Sequence, residues 1–311
     1  MRTLLLICLL AAPALAQPKL ALPDEAAGLD GIVRALIAAF DQVDIVALGE
    51  AHGAFAIDSD LRIALVRHPD FARKVRTIVV EFGSTTEQST LDSYIRGENI
   101  SRAQLEQVWK TTTQARFSGA WDSPIYADFL TAVREVNSKL PPDARVRVLG
   151  GDPGPGDNRS RETAAVALLK QALQKQGKAL VIYGAAHFYR AMPGDYLASM
   201  GQDTGIVNKL EVDYPGRTLS VIPLGRLNPP PGLTGDIEPD FQKFDRALKT
   251  QARPVILSLQ RSPFRDFRAE EFLARTLIGC RGPGGCASVF KGSSLKLGQI
   301  GDAAVYVGGG R

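Results

Sequence analysis

The sequence predicts an α/β protein with a central, mostly parallel β-sheet and helices on both faces. Three observations support this fold class. Seven short apolar segments rich in β-branched residues recur along the chain, and segments of helical pattern lie between them. Such alternation is typical of a parallel sheet that is buried on both faces. The composition is globular, with 45% hydrophobic and 23% charged residues, which excludes collagen-like and disordered classes.

The predicted strands are short and apolar, as expected for strands covered on both sides. In chain order they occupy residues 44–48, 77–80, 146–149, 179–183, 219–224, 254–259 and 303–307. The predicted helices have apolar residues at helical spacing. They occupy residues 29–40, 57–67, 86–96, 101–110, 124–138, 160–176, 239–250 and 269–278.

The connection between the second and third predicted strands is too long for a simple βαβ crossover. Its pattern is mostly helical, so we expect a helical insertion or cap over residues 86–138 after the second strand. The sequence contains no internal repeat or low-complexity tract that would divide the chain. We therefore predict a single domain over residues 17–311.

The first sixteen residues have the three features of a secretory signal peptide. Arg2 gives a basic start, an apolar run follows over residues 4–10, and Ala14 and Ala16 form a small-residue cleavage site. The run is shorter than the ~20 apolar residues that a membrane span requires. We expect cleavage after Ala16 and a periplasmic or secreted protein without a stable membrane span. A buried N-terminal helix or a membrane anchor is the alternative.

The cysteines are consistent with an oxidising compartment. Cys8 lies in the predicted signal peptide, and Cys280 and Cys286 flank a loop of arginine, glycine and proline. This spacing predicts a local disulfide between Cys280 and Cys286, with two reduced thiols as the alternative.

The charge of the chain gives no indication of a nucleic-acid partner. Lys and Arg number 37 against 33 Asp and Glu, so the net charge is only +4. The basic residues are dispersed, whereas nucleic-acid binding requires a concentrated basic patch. We expect a small-molecule partner instead.

Glycine, carboxylate and histidine residues follow the first four predicted strands. Because ligands bind at the carboxyl ends of parallel strands, we expect these side chains to share a crevice. His52 and His187 occupy the same position in two Gly-x-x-His segments. The third histidine, His68, ends a predicted helix and is expected at the surface. The segments are Gly49-Glu50-Ala51-His52-Gly53, Glu81-Phe82-Gly83, Gly150-Gly151-Asp152-Pro153-Gly154 and Gly184-Ala185-Ala186-His187.

This crevice is typical of two kinds of chemistry. Glu50 and His52 are two residues apart, so on extended backbone their side chains point the same way. Together with His187 and either Glu81 or Asp152, they match a two-histidine, one-carboxylate metal site. They equally match a metal-free site in which a carboxylate orients a histidine that activates water. A structural network of polar residues is the third interpretation.

Three further residues are candidate substrate contacts. Arg62 lies on the helix after His52 and would bind an anionic group, with a solvated helix face as the alternative. Asp152 follows the third strand. Tyr189 follows His187, and aromatic packing is its alternative role. The chain lacks a Gly-x-Ser-x-Gly motif, which favours direct attack by water over a nucleophile-elbow serine.

The strand-end segments resemble those of a known superfamily. Leu-Gly-Glu50-Ala-His52, Val-Glu81-Phe-Gly and Tyr-Gly-Ala-Ala-His187 are similar to segments of the superfamily that joins erythromycin esterase-like proteins, ChaN-type haem-binding uptake proteins and TraB/Tiki proteins. Residues 87–98, followed by Leu105 and Trp109, resemble the ChaN-like helical region. The resemblance covers about residues 45–189, and the C-terminal third matches only in its strand–helix rhythm.

The resemblance implies a Rossmann-like α/β fold with helical additions and a crevice that contains Glu50, His52, Glu81 and His187. Esterase-like members hydrolyse a macrolide lactone with a histidine that activates water. ChaN-like members are associated with haem and iron uptake, and TraB/Tiki members with metal-dependent peptide hydrolysis. The Gly-Ala-Ala-His187 segment differs from the Asn-rich context of the esterases, which argues against a macrolide as the substrate.

Two functions are therefore consistent with this crevice. In a secreted hydrolase of esters, lactones or amides, His52 is the general base, Glu50 assists it, and His187 and Glu81 bind a metal or polarise the carbonyl. The metal ligands would be Glu50, His52 and His187, with Zn, Mn or Co as the ion. In a haem- or metal-binding uptake protein without catalysis, a His or Tyr is the axial ligand. A structural or partner-binding protein with a vestigial site is a third possibility.

Overall fold

The computed structural model describes residues 22–52, 55–115, 121, 123–194, 205–226, 241–273, 278–280 and 286–309. The strands in these residues are β1 (Glu25–Ala27), β2 (Ile45–Glu50), β3 (Thr77–Ser84), β4 (Arg147–Asp152), β5 (Ala179–Gly184), β6 (Thr218–Leu224), β7 (Val255–Ser258), β8 (Ile278–Cys280), β9 (Cys286–Ser288) and β10 (Ala303–Tyr306). The α-helices are α1 (Gly28–Ala39), α2 (Ala56–Arg67), α3 (Phe71–Lys74), α4 (Gln88–Arg96), α5 (Arg102–Lys110), α6 (Pro124–Asn137), α7 (Arg161–Gln176), α8 (Ile206–Asp213), α9 (Phe241–Ala247), α10 (Glu270–Leu273) and α11 (Leu297–Ile300).

Eight strands form one mixed sheet in the order β1-β7-β10-β6-β2-β5-β3-β4. The six strands from β10 to β4 in this order are parallel, and β7 is antiparallel to both of its neighbours. β8 and β9 form a separate antiparallel pair. The predicted α/β fold with a mostly parallel sheet is confirmed, and all seven predicted strands are present.

Helices cover both faces of the sheet because alternate strand residues point in opposite directions. In β2, Val46 and Leu48 face a core built with α1, α2, α4, α5 and α6. Ile45 and Ala47 face the opposite core, which α7 and α8 cover. At the other end of the sheet, an aromatic cluster that includes Phe241, Phe244 and Phe272 covers β6, β7 and β10.

The predicted insertion over residues 86–138 corresponds to α4, α5 and α6. These helices bury apolar residues such as Leu91, Trp109 and Phe129 in the same core as β3 and β4. They therefore form part of the layer that covers one face of the sheet. Residues 116–120 and 122 of this segment lie outside the described residues.

The differences from the predicted elements lie in short segments. The predicted helix over residues 269–278 is wrong at its end: α10 contains only Glu270–Leu273, and β8 begins at Ile278. The antiparallel partner β9 provides cross-strand hydrogen bonds that local helical spacing does not show. β1, α3 and α11 are too short for a periodic pattern, and α8 was also not predicted.

The predicted features of the chain ends remain predictions. The signal peptide over residues 1–16 lies outside the described residues. Cys280 is the direct cross-strand partner of Cys286 in the β8–β9 pair, and their disulfide stays a prediction. Among the described helices, none has the length and apolar character needed to span a membrane.

The close approach of β3 and β4 provides a test of this packing. A Cβ on Gly150 would lie 2.6 Å from the Ser84 carbonyl oxygen and 2.8 Å from that of Gly83. Because backbone cannot move aside cheaply, Gly150→Ala is expected to lower the free energy of unfolding by about 1–3 kcal/mol, as measured by urea denaturation. The control is Gly31→Ala in α1, where the nearest atom is 3.5 Å away. Equal stability of the two variants would contradict the prediction.

Candidate functional site

The four strands that end in the predicted motifs are neighbours in the sheet, in the order β2-β5-β3-β4. Their parallel pairing brings their carboxyl ends to one edge. Glu50 at the end of β2 is the cross-strand partner of Gly184 at the end of β5. The topology therefore brings Glu50, His52, Glu81 and His187 to one part of the sheet edge.

The first network is centred on the carboxylate of Glu50, which is buried. Arg62 in α2 donates from Nη1 to Glu50 Oε2 at 2.8 Å. The other oxygen, Oε1, lies 3.1 Å from His52 Nδ1 and accepts a longer hydrogen bond of 3.4 Å from the Tyr126 hydroxyl. The Arg62 guanidinium also lies 5.0 Å from the Tyr126 ring centroid. Glu50 is thus charge-paired on one side and directed at His52 on the other.

His52 has an unusual backbone conformation and an accessible ring. Its φ is +51°, in the left-handed region that few residues other than glycine adopt. Its side chain is 43% exposed and meets Trp121 edge to face at 5.1 Å between ring centroids. The ring lies over Gly184, since a Cβ placed there would be 2.6 Å from His52 Nε2. Backbone strain of this kind persists only where the surroundings hold it, and it concentrates at functional sites.

The second network is centred on His187, which is in a short 3₁₀ helix (Ala185–Phe188) directly after β5. Its Nδ1 donates to Glu162 Oε1 at 2.7 Å, and its Nε2 lies 3.2 Å from Glu81 Oε1. Arg161 at the start of α7 also donates to Glu81 Oε1. The second oxygen of Glu81 accepts the Gly184 backbone N–H at 2.7 Å. Both nitrogens of His187 therefore face carboxylates.

The charges in the second network change the protonation of its members. Burial alone would lower the pKa of His187, but the charge of Glu81 and the hydrogen bonds to Glu162 and Glu81 raise it to about 9. Burial alone would raise the pKa of Glu81, but His187, His52 and Arg161 hold it well below its usual range. His187 is therefore an imidazolium at neutral pH, bound between two carboxylates.

His52 is less strongly affected. Burial alone would lower its pKa, but the hydrogen bond to Glu50 and the charges of Glu81 and Glu50 raise it above the ordinary 6.5. The carboxyl of the neighbouring Asp58 is neutral at acidic pH, because burial raises its pKa to about 7. The two histidines, which look equivalent in the sequence, thus have different environments.

The two networks approach the sheet edge from opposite faces. Glu50 shares its face with Leu48 and points towards α2 and α6, whereas Glu81 shares its face with Val79 and points towards α7. They meet at Gly184, whose N–H binds Glu81 and whose missing side chain leaves room for the His52 ring. The His52 ring can occupy this position only because Gly184 has no Cβ.

The three residues predicted to contact a substrate are buried in the structure. Arg62 is buried beneath Glu50. Asp152 is buried, and its oxygens accept from the backbone N–H groups of Thr113 and Gly154, both at 2.8 Å, and from the Thr113 hydroxyl at 2.6 Å. Tyr189 is buried and packs on Phe290 at 5.8 Å between ring centroids. The contacts that these three side chains make are internal to the protein.

The side chains predicted as metal ligands have other partners in this structure. Glu50 is already paired with Arg62, and His187 presents both nitrogens to carboxylates. Within the part of the chain that the structure describes, no group of three or more His, Cys, Asp or Glu side chains is arranged to hold a metal ion. The metal set Glu50, His52 and His187 stays a prediction, and in this structure guanidinium groups pair with the carboxylates of the site.

Several residues of the site were not predicted from the sequence. Glu162 was missed because an acidic residue in the first turn of a helix is common for its effect on the helix dipole. Trp121 and Asp58 belong to no motif. Gln114 also contributes, because its amide oxygen, oriented towards Arg161, accepts from Nη2 at 2.9 Å. Only the three-dimensional contacts identify these residues.

A substitution at Gly184 tests the meeting point of the networks. In Gly184→Ala, the new Cβ would overlap His52 Nε2, while Glu81 Oε2 at 3.5 Å would stay in ordinary contact. We expect the His52 ring to be displaced and its Cε1–H resonance to shift in NMR spectra, with the His187 resonance nearly unchanged. Gly194→Ala, where nothing lies within 4 Å, is the control. An unshifted His52 resonance would show that the ring does not lie over Gly184.

The raised pKa of His187 predicts a loss of stability at alkaline pH. A folded-state pKa of about 9 against 6.5 in the unfolded chain means that the stabilisation is complete below pH 6.5 and is lost as the pH rises through 9. At about 1.4 kcal/mol for each pKa unit, this amounts to roughly 3–4 kcal/mol. Urea denaturation between pH 6.5 and 9.5 should show this slope in the wild type and a flatter one in His187→Gln. Parallel slopes would contradict the prediction.

Comparison with known proteins bears on the fold. No protein-family model matches the chain, and no curated protein matches it in sequence. A crystal structure of a Bacillus cereus protein matches with a TM-score of 0.58 at 13% identity, over 90% of this chain and 92% of that one. A succinoglycan biosynthesis protein matches with a TM-score of 0.59 at 9% identity, over 88% and 90%.

A mutant of the erythromycin esterase EreC in its open conformation also matches, with a TM-score of 0.49 at 10% identity, over 90% of this chain and 93% of that one. The two structures with the higher TM-scores show the fold of this chain. The chain shares their fold, and its α/β architecture with helical additions is the one that the resemblance to the erythromycin esterase-like and ChaN-type superfamily predicts.

Proposed function

We propose that this protein is a hydrolase in which His52 acts as a general base on water. The observation that carries the proposal is the Glu50–His52 pair. A buried carboxylate holds Nδ1 of a partly exposed imidazole, which leaves Nε2 as the nitrogen directed away from Glu50. A carboxylate–histidine pair of this kind is the usual device for activating a nucleophile.

The proposed reaction begins when Nε2 of His52 removes a proton from water as the water oxygen attacks a carbonyl carbon. The imidazolium that forms is stabilised by Glu50 through Nδ1–H. When the tetrahedral intermediate collapses, the proton on Nε2 passes to the leaving oxygen or nitrogen. The substrate is an ester, lactone or amide, and the products are an acid and an alcohol or amine. No step in this scheme uses a metal ion.

The remaining residues have supporting roles in this proposal. Arg62 holds the Glu50 side chain in place, and Tyr126 contacts the same carboxylate. Glu81 and His187, which we predicted as carbonyl-polarising or metal-binding groups, fix the Gly184 backbone beneath the His52 ring. Asp152 fixes Thr113, next to Gln114 and its contact with Arg161. Direct contact of Arg62, Asp152 or Tyr189 with a substrate is not part of the proposal.

We also propose that the mature protein begins at Gln17 and acts in the periplasm or outside the cell. The basic, apolar and small-residue pattern of residues 1–16 supports this location. N-terminal sequencing of the secreted protein tests it, and an intact Met1 in the mature protein would contradict it.

The principal test compares single histidine variants. Initial hydrolysis rates would be measured for a p-nitrophenyl ester, a macrocyclic lactone and a p-nitroanilide. We expect His52→Gln to lower the rate on the accepted substrate roughly 10²- to 10⁴-fold. His68→Gln is the matched control, because His68 lies at the end of α2 and its Nδ1 accepts the Asp70 N–H at 3.2 Å. Equal rates for wild type and His52→Gln would refute the proposal.

The pH dependence and metal dependence of the rate give further checks. The base form of His52 is neutral, so the rate should rise with pH through a pKa above 6.5, the ordinary value. Dialysis against EDTA should leave the rate unchanged, because the carboxylates pair with arginines. A rate that collapses on chelation and returns with Zn²⁺, Mn²⁺ or Co²⁺ would replace this scheme with a metal-assisted one.

The haem alternative has its own measurement. A haemin titration that gives a saturable Soret shift in the wild type, and none in His52→Gln or His187→Gln, would favour a haem-binding protein. We expect no shift that depends on His187, because both His187 nitrogens are already held by carboxylates.

A further inference from the structure

Asp58 contacts the chain at the point where it leaves β2. The residue lies in the first turn of α2, and its Oδ2 accepts the Ala51 backbone N–H at 2.7 Å. Ala51 separates Glu50 from His52 in the sequence. Asp58 also lines a small internal cavity together with Glu50 and Arg62. The Asp58 carboxylate is thus directed at the backbone between the two members of the proposed catalytic pair.

The backbone at Ala51 lies beyond the support of the sheet. The pairing of β2 with β6 ends at Leu48, and its pairing with β5 ends at Glu50. The next residue but one, His52, has a φ of +51°, which must be held by its surroundings. Asp58 provides a hydrogen-bond acceptor at the place where the strand partners stop.

The contact differs from ordinary capping of a helix. A capping side chain accepts a backbone N–H of the first turn of its own helix. Asp58 instead accepts an N–H that lies seven residues earlier, outside α2. Its hydrogen bond therefore connects α2 to the residue that follows β2.

We propose that Asp58 is a positioning residue that, by accepting the Ala51 N–H, holds His52 in its left-handed conformation and in contact with Glu50. The expected effect of Asp58 on catalysis rests on the proposed function, whereas its expected effect on the His52 conformation does not. Asp58 acts through the backbone, and its carboxylate needs only an oxygen acceptor at this position. Asparagine should therefore replace it, whereas alanine should not.

NMR spectroscopy tests the proposal without a substrate. The chain has three histidines, so their Cε1–H resonances can be assigned with single variants. In Asp58→Ala, we expect the His52 pKa to move towards 6.5, because the contact with Glu50 is lost, and the Ala51 amide to exchange faster with solvent. Asp58→Asn removes the Asp58 charge as Asp58→Ala does but keeps the oxygen acceptor, so it should keep the slow exchange of the wild type and a His52 pKa above that of Asp58→Ala. Asp60→Ala, an exposed position on the same helix, is the control.

The outcomes separate positioning from general stability. A merely structural role would lower the melting temperature of Asp58→Ala and leave the His52 titration of the folded protein unchanged, which would overturn the proposal. The same conclusion follows if folded Asp58→Asn and Asp58→Ala share one His52 titration and one Ala51 exchange rate. Should Asp58→Ala fail to fold, the Asp58→Asn result and the Ala51 exchange rate decide the question.

Kinetics add the catalytic consequence. On a substrate identified by the histidine variants, Asp58→Ala should lower kcat about tenfold or more with little change in KM, since small misplacements of a catalytic group reduce the rate steeply. Asp58→Asn should recover most of kcat. If the wild-type protein hydrolyses none of the substrates, the proposed function fails while the NMR result still tests Asp58.

Discussion

The carboxylates of Glu50 and Glu81 are 4% and 1% exposed, and an ionised carboxylate removed from water is strongly destabilising unless it is paired. Each is therefore matched to its own arginine and its own histidine. Arg62 reaches Glu50 from α2, and Arg161 reaches Glu81 from α7. These two charge pairs connect the helices on both faces of the sheet to the same sheet edge.

Burial on both faces is the reason that the sequence predicts the strands and their shared edge. Strands such as β2 and β5 are apolar along most of their length, and the rule that parallel strands end at one edge then places Glu50, His52 and His187 together. Sequence spacing does not show the direction of a side chain across the sheet. The positions of Arg62 beneath Glu50 and of Tyr189 against Phe290 depend on packing between distant segments. For the same reason, Glu162 and Asp58 were not predicted.

The two Gly-x-x-His segments illustrate how environment separates residues that a motif makes equivalent. His187 is 11% exposed, and two carboxylates hold its protons. His52 has one carboxylate, an exposed ring and a strained backbone. A base must be neutral when it meets water, and a residue that stabilises buried charge must remain protonated. One segment is thus suited to proton transfer and the other to electrostatic support.

Gly184 links the two networks directly, in addition to the sheet edge that they share. Its N–H fixes Glu81, so the charge balance of the second network sets the position of the backbone at the end of β5. The His52 ring lies on that backbone at a distance that leaves no room for a Cβ. A change in the protonation of His187 would weaken its pairing with Glu81, and the displacement would reach His52 through Gly184. The second network is therefore in contact, through the Gly184 backbone, with the ring of the proposed base.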